Sequence, residues 1–169
     1  MSARDTGVKK VLYLGSSCMY PRNVPNPLKE EMVLKGELEP TNEGYAIAKI
    51  MGQKLGRYLH QENPEFVAKT LIPSNLFGPF DKFDPKHSHL VPAIIFKVHR
   101  AKLENRKEVE IWGDGTARRE FMYAGDLADC IFRAITKFDQ LPESMNVGLG
   151  FDFSVNEYYQ AAAEIMNFN

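Results

Sequence analysis

The sequence predicts an α/β fold with a mainly parallel sheet. Short apolar runs suited to buried strands stand at 9–14, 66–73 and 145–148, and segments of helical periodicity lie between them. The order strand, helix, strand recurs along the chain, the pattern of a sheet whose neighbouring strands run the same way. In such sheets ligands gather outside the carboxyl ends of the strands, so the residues that follow each strand carry most of the functional information.

The elements follow in order. Residues 9–14, KKVLYL, form the first strand, which ends in GSSCMYP. From Pro21 to Glu43 the chain is rich in Pro, Asn, Glu and Gly and reads as an irregular excursion with a short helix near 30–34. Over 42–61, Ala46, Ile47, Ile50, Met51, Leu55, Tyr58 and Leu59 recur at three-and-four spacing, an amphipathic helix that stops before Asn63-Pro64. FVAKTLIP at 66–73 is the second buried strand, and SNLFGPFDKF at 74–83 is a loop at its end. Residues 90–102 are helical, VEIWGDG at 109–115 is a strand closed by a turn, and 119–126 is a short extended segment. Asp126 opens a helix through Lys137, with Asp126 and Asp129 in its first turn. MNVGLG at 145–150 is a strand and glycine turn. Ser154-x-x-Glu157 is a capping box for a final helix with no evident stop, and Arg118 is the solvated partner of Glu120.

With 169 residues, 44% hydrophobic and 25% charged, the chain can bury a core. Its 21 basic and 22 acidic residues nearly cancel, so no broad basic field exists to hold nucleic acid or an anionic membrane. An anionic ligand must be held by a few placed groups. The two cysteines, Cys18 and Cys130, form neither a disulfide framework nor a metal cluster. With no apolar run long enough to span a bilayer and no signal peptide, the expected location is the cytoplasm.

Tyr45 and Lys49, in YAIAK, stand four apart on the first helix and share a face. An ammonium beside a phenol favours the phenolate, which suits acid–base work. Alone, YxxxK is equally an ordinary helix surface. Here GSSC lies at the end of the preceding strand and Pro73-Ser74-Asn75 at the end of the next, so the three features converge on one crevice. Cys18 reads as an inert small hydrophobe or as a reactive thiol, and free thiols titrate near pH 8.5. His89, with His87 and Asp84 nearby, would suit a metal only with third and fourth ligands, and none follow at useful spacing.

GSSCMYP, PTNEGYAIAK, PSNLFGPFDKFDPKHSHLVPA, VEIWGDGTARREF and NVGLG, in that order, resemble the extended short-chain dehydrogenase/reductases, and within them the GDP-L-fucose synthases. The resemblance implies a partial Rossmann-type doubly wound parallel sheet with a smaller α/β substrate-binding region. Residues 1–76 would be the carboxyl-terminal half of an NAD(P)-binding domain, and 77–169 the GDP-sugar region, with 119–148 packing back on the sheet. It implies C3 and C5 epimerisation of GDP-4-keto-6-deoxy-D-mannose and reduction of its C4 ketone with NADP(H). Ser16 and Tyr45 would hold the C4 oxygen, Lys49 the nicotinamide ribose, Cys18 would be the base and His89 the opposing acid. Leu14, Gly15, Ser16, Ser17, Pro73, Ser74, Asn75 and Leu76, with Tyr45, Lys49 and His89, would line the cofactor. Ser16, Cys18, Asn75, Leu90, Lys97, Trp112 and Arg119 would contact substrate. Lys97 stands where bacterial members carry Arg, keeping the charge but losing the planar fork, and Trp112 alone would read as core.

The family's Gly-rich GxxGxxG turn is missing from this sequence, where 44 residues precede Tyr45. The expectation is therefore an internal fragment or truncated product with a bare sheet edge, which lacks NADPH reductase activity or has it only when complemented by a separate N-terminal segment; its expected assembly is a homodimer or that complemented pair. Two other readings stand beside it: an enzyme of another GDP-keto-sugar, of the heptose or colitose branch, and a non-catalytic GDP-sugar-binding or dimerisation module.

Overall fold

The computed structural model describes residues 2–84, 87–111 and 113–168. In chain order its elements are α1 (Ser2–Asp5), β1 (Lys10–Leu14), α2 (Glu43–Glu62), β2 (Val67–Pro73), β3 (Asn75–Phe77), α3 (Leu90–Leu103), β4 (Arg118–Arg119), β5 (Phe121–Tyr123), α4 (Ala124–Thr136), β6 (Ser144–Val147), β7 (Phe153–Ser154) and α5 (Val155–Met166). Single 3₁₀ turns stand at Ser17–Met19, Glu30–Met32, Pro40–Asn42 and Phe138–Gln140. Two compact units result: Met1–Ser74 with Asp126–Gly148, and Asn75–Gly125 with Leu149–Asn169.

In the first unit β1, β2 and β6 pair in that order, all parallel, with Leu14 opposite Leu71 and Leu71 opposite Met145. Among the described residues β1 pairs on one side only, so it is an edge strand, with Leu14 36% exposed. The helix α2 buries Ala46, Ile50, Gln53, Gly56 and Leu59 and packs on β2. Its approach is set by small residues: a methyl group on Gly56 would lie 2.7 Å from the Ala68 Cβ. The helix ends where expected, since Pro64 has no N–H to continue it. Met19, Tyr20, Val33, Ile50 and Ile72 form a buried cluster that anchors the GSSCMYP turn and the excursion after it. Full burial of Met19 alone is worth about 1.5–3 kcal/mol. Tyr20 donates to Asn146 Oδ1 at 2.5 Å, while the Asn146 N–H donates to Glu30 and its side-chain amide to the Leu28 carbonyl, tying the excursion to β6.

In the second unit β3 pairs parallel with β5 and β4 antiparallel with β7. Helix α3 buries Pro92, Ile94, Val98 and Ala101 and packs against α5. Phe121, Phe151, Phe153 and Tyr158 meet edge-on at 5.4–5.7 Å between ring centres. The capping box is present: Ser154 Oγ accepts from Glu157 N and the Glu157 carboxylate accepts from Ser154 N.

Several sequence expectations are corrected. Residues 75–77, read as loop, are strand β3, because Phe121–Tyr123 supplies a partner. The described residues of 109–115 are not a strand, since no neighbour pairs with them. Helix α4 begins at Ala124, which leaves Asp129 in its second turn. The last helix does stop, at Asn167, in the left-handed conformation (φ 50°) that asparagine tolerates. Arg118 pairs with Asp152 (2.6 Å) and Glu157 (3.5 Å), whereas the Glu120 carboxylate accepts the N–H groups of Leu149 and Gly150. No described helix is long and apolar enough to cross a membrane.

Candidate active site

Everything in the first unit's site hangs on the carboxyl end of β1. Gly15 donates its N–H to Leu71 O at 2.8 Å, and a side chain here would meet Met19 Sδ at 2.8 Å and that carbonyl at 3.3 Å. Glycine lets the chain turn tightly against β2. Ser16 then takes an extended conformation, and its Oγ accepts from Cys18 N at 3.2 Å, capping the 3₁₀ turn that carries Cys18. Because the hydroxyl serves that bond as acceptor, its own proton can still be given to an oxygen outside the turn. Cys18 and Ser17 are half-buried, and Cys18 Sγ accepts from Asn42 Nδ2 at 3.3 Å.

Helix α2 packs against this turn and brings Tyr45 and Lys49 to it. Lys49 Nζ donates to Leu14 O at 2.9 Å and lies 5.7 Å from the Tyr45 ring centre and 5.5 Å from that of Tyr13. Tyr45 is 51% exposed and open to a ligand. Tyr13 differs: burial, then the neighbouring charge of Tyr45, raises its phenol above the ordinary value. At the end of β2, Ser74 donates its N–H to Val147 O at 2.9 Å, while its buried Oγ has no hydrogen-bond partner. A hydroxyl in that condition is open to a water or a polar ligand.

The second unit holds the other expected residues. His89 is the N-cap of α3, exposed, with no capping bond from its side chain. A tight turn precedes it, in which Ser88 Oγ donates to the Lys82 or Asp84 carbonyl and His87 N donates to Asp84 Oδ1. Leu90 opens α3 and is half-buried, as is Leu76 in β3. Lys97 Nζ donates to Glu110 O at 3.1 Å and lines a cavity of about 330 Å³ with Phe96, Arg100, Arg106 and Val109. Arg119 is exposed and donates to the Arg118 carbonyl, and Asn75 Nδ2 donates to Glu120 O at 3.0 Å. Trp112 lies outside the described residues. Among the described residues no three His, Cys, Asp or Glu side chains are grouped to hold a metal.

Two features went unread in the sequence. Arg100 and Arg106 line the Lys97 cavity, both bonded to Glu104, whose carboxyl they hold below the ordinary range. The spacing of Lys97 and Arg100, one turn apart, was the available signal. Asn42 was visible only as the residue before a helix.

Residues 1–148 match the NAD dependent epimerase/dehydratase family. The chain belongs to that family, and its fold is the Rossmann-like α/β fold of NAD(P)-dependent epimerases and reductases. It is 53% identical to a GDP-L-colitose synthase of Yersinia pseudotuberculosis over 99% of this chain and 54% of that protein. A GDP-L-fucose synthase of Azorhizobium caulinodans is 49% identical over 100% of this chain and 54% of its own length. Among solved structures, a GDP-mannoheptose C4 reductase from Campylobacter jejuni with NADP bound superimposes with a TM-score of 0.88 at 31% identity, covering 99% of this chain and 60% of that one. A GDP-L-fucose synthetase from Naegleria fowleri bound to NADP gives 0.89 at 27% identity, covering 99% and 53%. The chain thus spans about half the length of the curated relatives it matches.

Proposed function

We propose that this chain carries the catalytic centre of an NADPH-dependent epimerase and reductase acting on GDP-4-keto-6-deoxy-D-mannose, giving GDP-L-fucose. The observation that carries this is the meeting of Ser16, Cys18, Tyr45 and Lys49 around one strand end. Residues 1–76 serve as the catalytic half of the cofactor domain and 77–169 as the GDP-sugar region, with 126–148 returning to the sheet of the first unit.

Ser16 Oγ–H and the Tyr45 phenol donate to the C4 oxygen, which makes the protons on C3 and C5 acidic. The Cys18 thiolate removes each proton, and the enolate charge rests on the C4 oxygen held by those donors. His89 returns a proton to the opposite face, and inversion follows. NADPH, when bound, supplies the hydride that reduces C4. Tyr45 then gives its proton to the C4 oxygen, and the Lys49 ammonium stabilises the phenolate left behind. Lys49, Tyr45 and the unpartnered Ser74 hydroxyl suit the nicotinamide end of the cofactor. The sequence has no GxxGxxG turn for the pyrophosphate, so that end calls for a cradle supplied by a complementing N-terminal segment.

The GDP-sugar is the small-molecule partner, its charge met by Lys97 and Arg119. The second macromolecular partner is another copy. Ile47, Met51, Leu55 and Tyr58 make an exposed apolar stripe along α2, 42–65% accessible, on a different side from the sheet-facing residues. The cytoplasm is the compartment that suits the reduced cysteines. Met51→Glu, by placing a charge in the stripe, is expected to convert a dimer to a monomer in analytical ultracentrifugation.

The main test follows hydrogen exchange at C3 and C5 of the keto-sugar by NMR in D₂O, with and without NADPH. Cys18→Ser is expected to slow exchange by roughly 10²–10⁴-fold. Exchange that persists at the parent rate in Cys18→Ser would defeat the assignment.

A further inference from the structure

We propose that Asn42 is a positioning residue for Cys18, holding the sulfur and presenting a hydrogen-bond donor to it. The inference takes its catalytic meaning from the reading of Cys18 as the base, but the contact it describes does not depend on that reading.

Asn42 is the N-cap of α2, with φ −133° and ψ 16°. Asparagine is among the best N-cap residues because its side-chain oxygen accepts an N–H of the first turn. Here the side chain makes no such bond. Its Nδ2 instead reaches Cys18 Sγ at 3.3 Å, and its Oδ1 is buried with no hydrogen-bond partner. The residue therefore forgoes a local cap and also leaves a buried acceptor unsatisfied, both of which lower stability. A side chain that breaks a local rule twice at one contact marks a place where function outweighs folding.

The surroundings sharpen what that contact does. The Cys18 backbone is fixed by Ser16 Oγ on one side and by the wholly buried Met19 on the other. What stays free is rotation about the Cα–Cβ bond, and the Asn42 amide sets it.

The test uses the full 169-residue chain with Cys130→Ser, which leaves Cys18 as its sole thiol. Alkylation of Cys18 by iodoacetamide is followed by mass spectrometry at one fixed pH. Asn42→Asp keeps the shape, removes the donor and can take up the vacant N-cap role. It is expected to hold or raise the thermal midpoint while slowing alkylation roughly ten-fold. Asn42→Leu removes the donor without adding charge and is expected to slow it as well. A merely structural residue would not separate stability from thiol reactivity in this way. A rate within about two-fold of the parent in either folded variant overturns the proposal. Should the leucine variant fail to fold, the aspartate decides alone. Hydrogen exchange into the keto-sugar then distinguishes the two readings: slowed alkylation with exchange untouched by Cys18→Ser removes the base assignment and leaves the Asn42 contact standing. Unchanged alkylation removes the Asn42 proposal whatever the exchange shows.

Discussion

The two units differ in the length of their strands and in what holds their candidate ligand-binding groups. The first has strands of five, seven and four residues, a buried cluster around Met19, and a helix spaced from its sheet by glycine. The second has strands of two or three residues and buries Ile94, Val98, Phe121 and Met122; exposed ion pairs occur in both units, such as Lys10 with Asp139 in the first and Arg118 with Asp152 in the second. Burial fixes positions to fractions of an ångström, while solvated ion pairs contribute little and yield to salt. The groups that would do proton chemistry at the β1 end stand on the rigid kind of support. Of the cations that line the Lys97 cavity, Arg100 and Arg106 are held at their heads by the exposed Glu104, a support that can adjust to a large polar ligand.

Substitutions break this contrast in proportion to burial. Gly56→Ala comes first: its methyl would overlap Ala68 at 2.7 Å, with no flexible side chain to yield, and urea unfolding is expected to show a loss of about 1–3 kcal/mol. Tyr20 comes next. Burial, outweighing the opposing bond to Asn146 and helped by Glu30 and Glu31, pushes its phenol up to about 12 from 10.0. The folded state therefore keeps a proton that the unfolded state releases. Stability is whole below pH 10 and declines as pH rises from there toward 12, and Tyr20→Phe is expected to flatten that decline in thermal melts. Arg118→Ala is the smallest, a shift of the thermal midpoint that fades in high salt, because both carboxylate partners are solvated.

The same contrast decides what could be read from sequence. Helix α2 and strands β1 and β2 were legible because a buried face imposes a period. β3 was not, because its three residues become a strand only by pairing with Phe121–Tyr123, far along the chain. Val109 to Ile111 show strand alternation, but nothing pairs with them. The choice of Asp152 over Glu120 by Arg118 is likewise a matter of tertiary distance. At the site, YxxxK and the strand-end Ser and Cys were visible as types at a spacing. The Asn42 contact was hidden because a residue before a helix announces a cap, and this one's side chain turns to sulfur instead.

Lys49 is also a stitch between helix and strand. Pairing with β2 uses the odd-numbered backbone groups of β1, so Leu14 turns its carbonyl away from the sheet, and the lysine ammonium closes it at 2.9 Å. The residue thus joins helix to strand whether or not any ketone arrives. A lineage that gave up the reaction would still be selected to keep Lys49. In descendants of this scaffold, therefore, the lysine records ancestry, and the exposed Tyr45, held by no hydrogen bond of its side chain among the described residues and met by Lys49 at 5.7 Å, is the position where lost chemistry would show first.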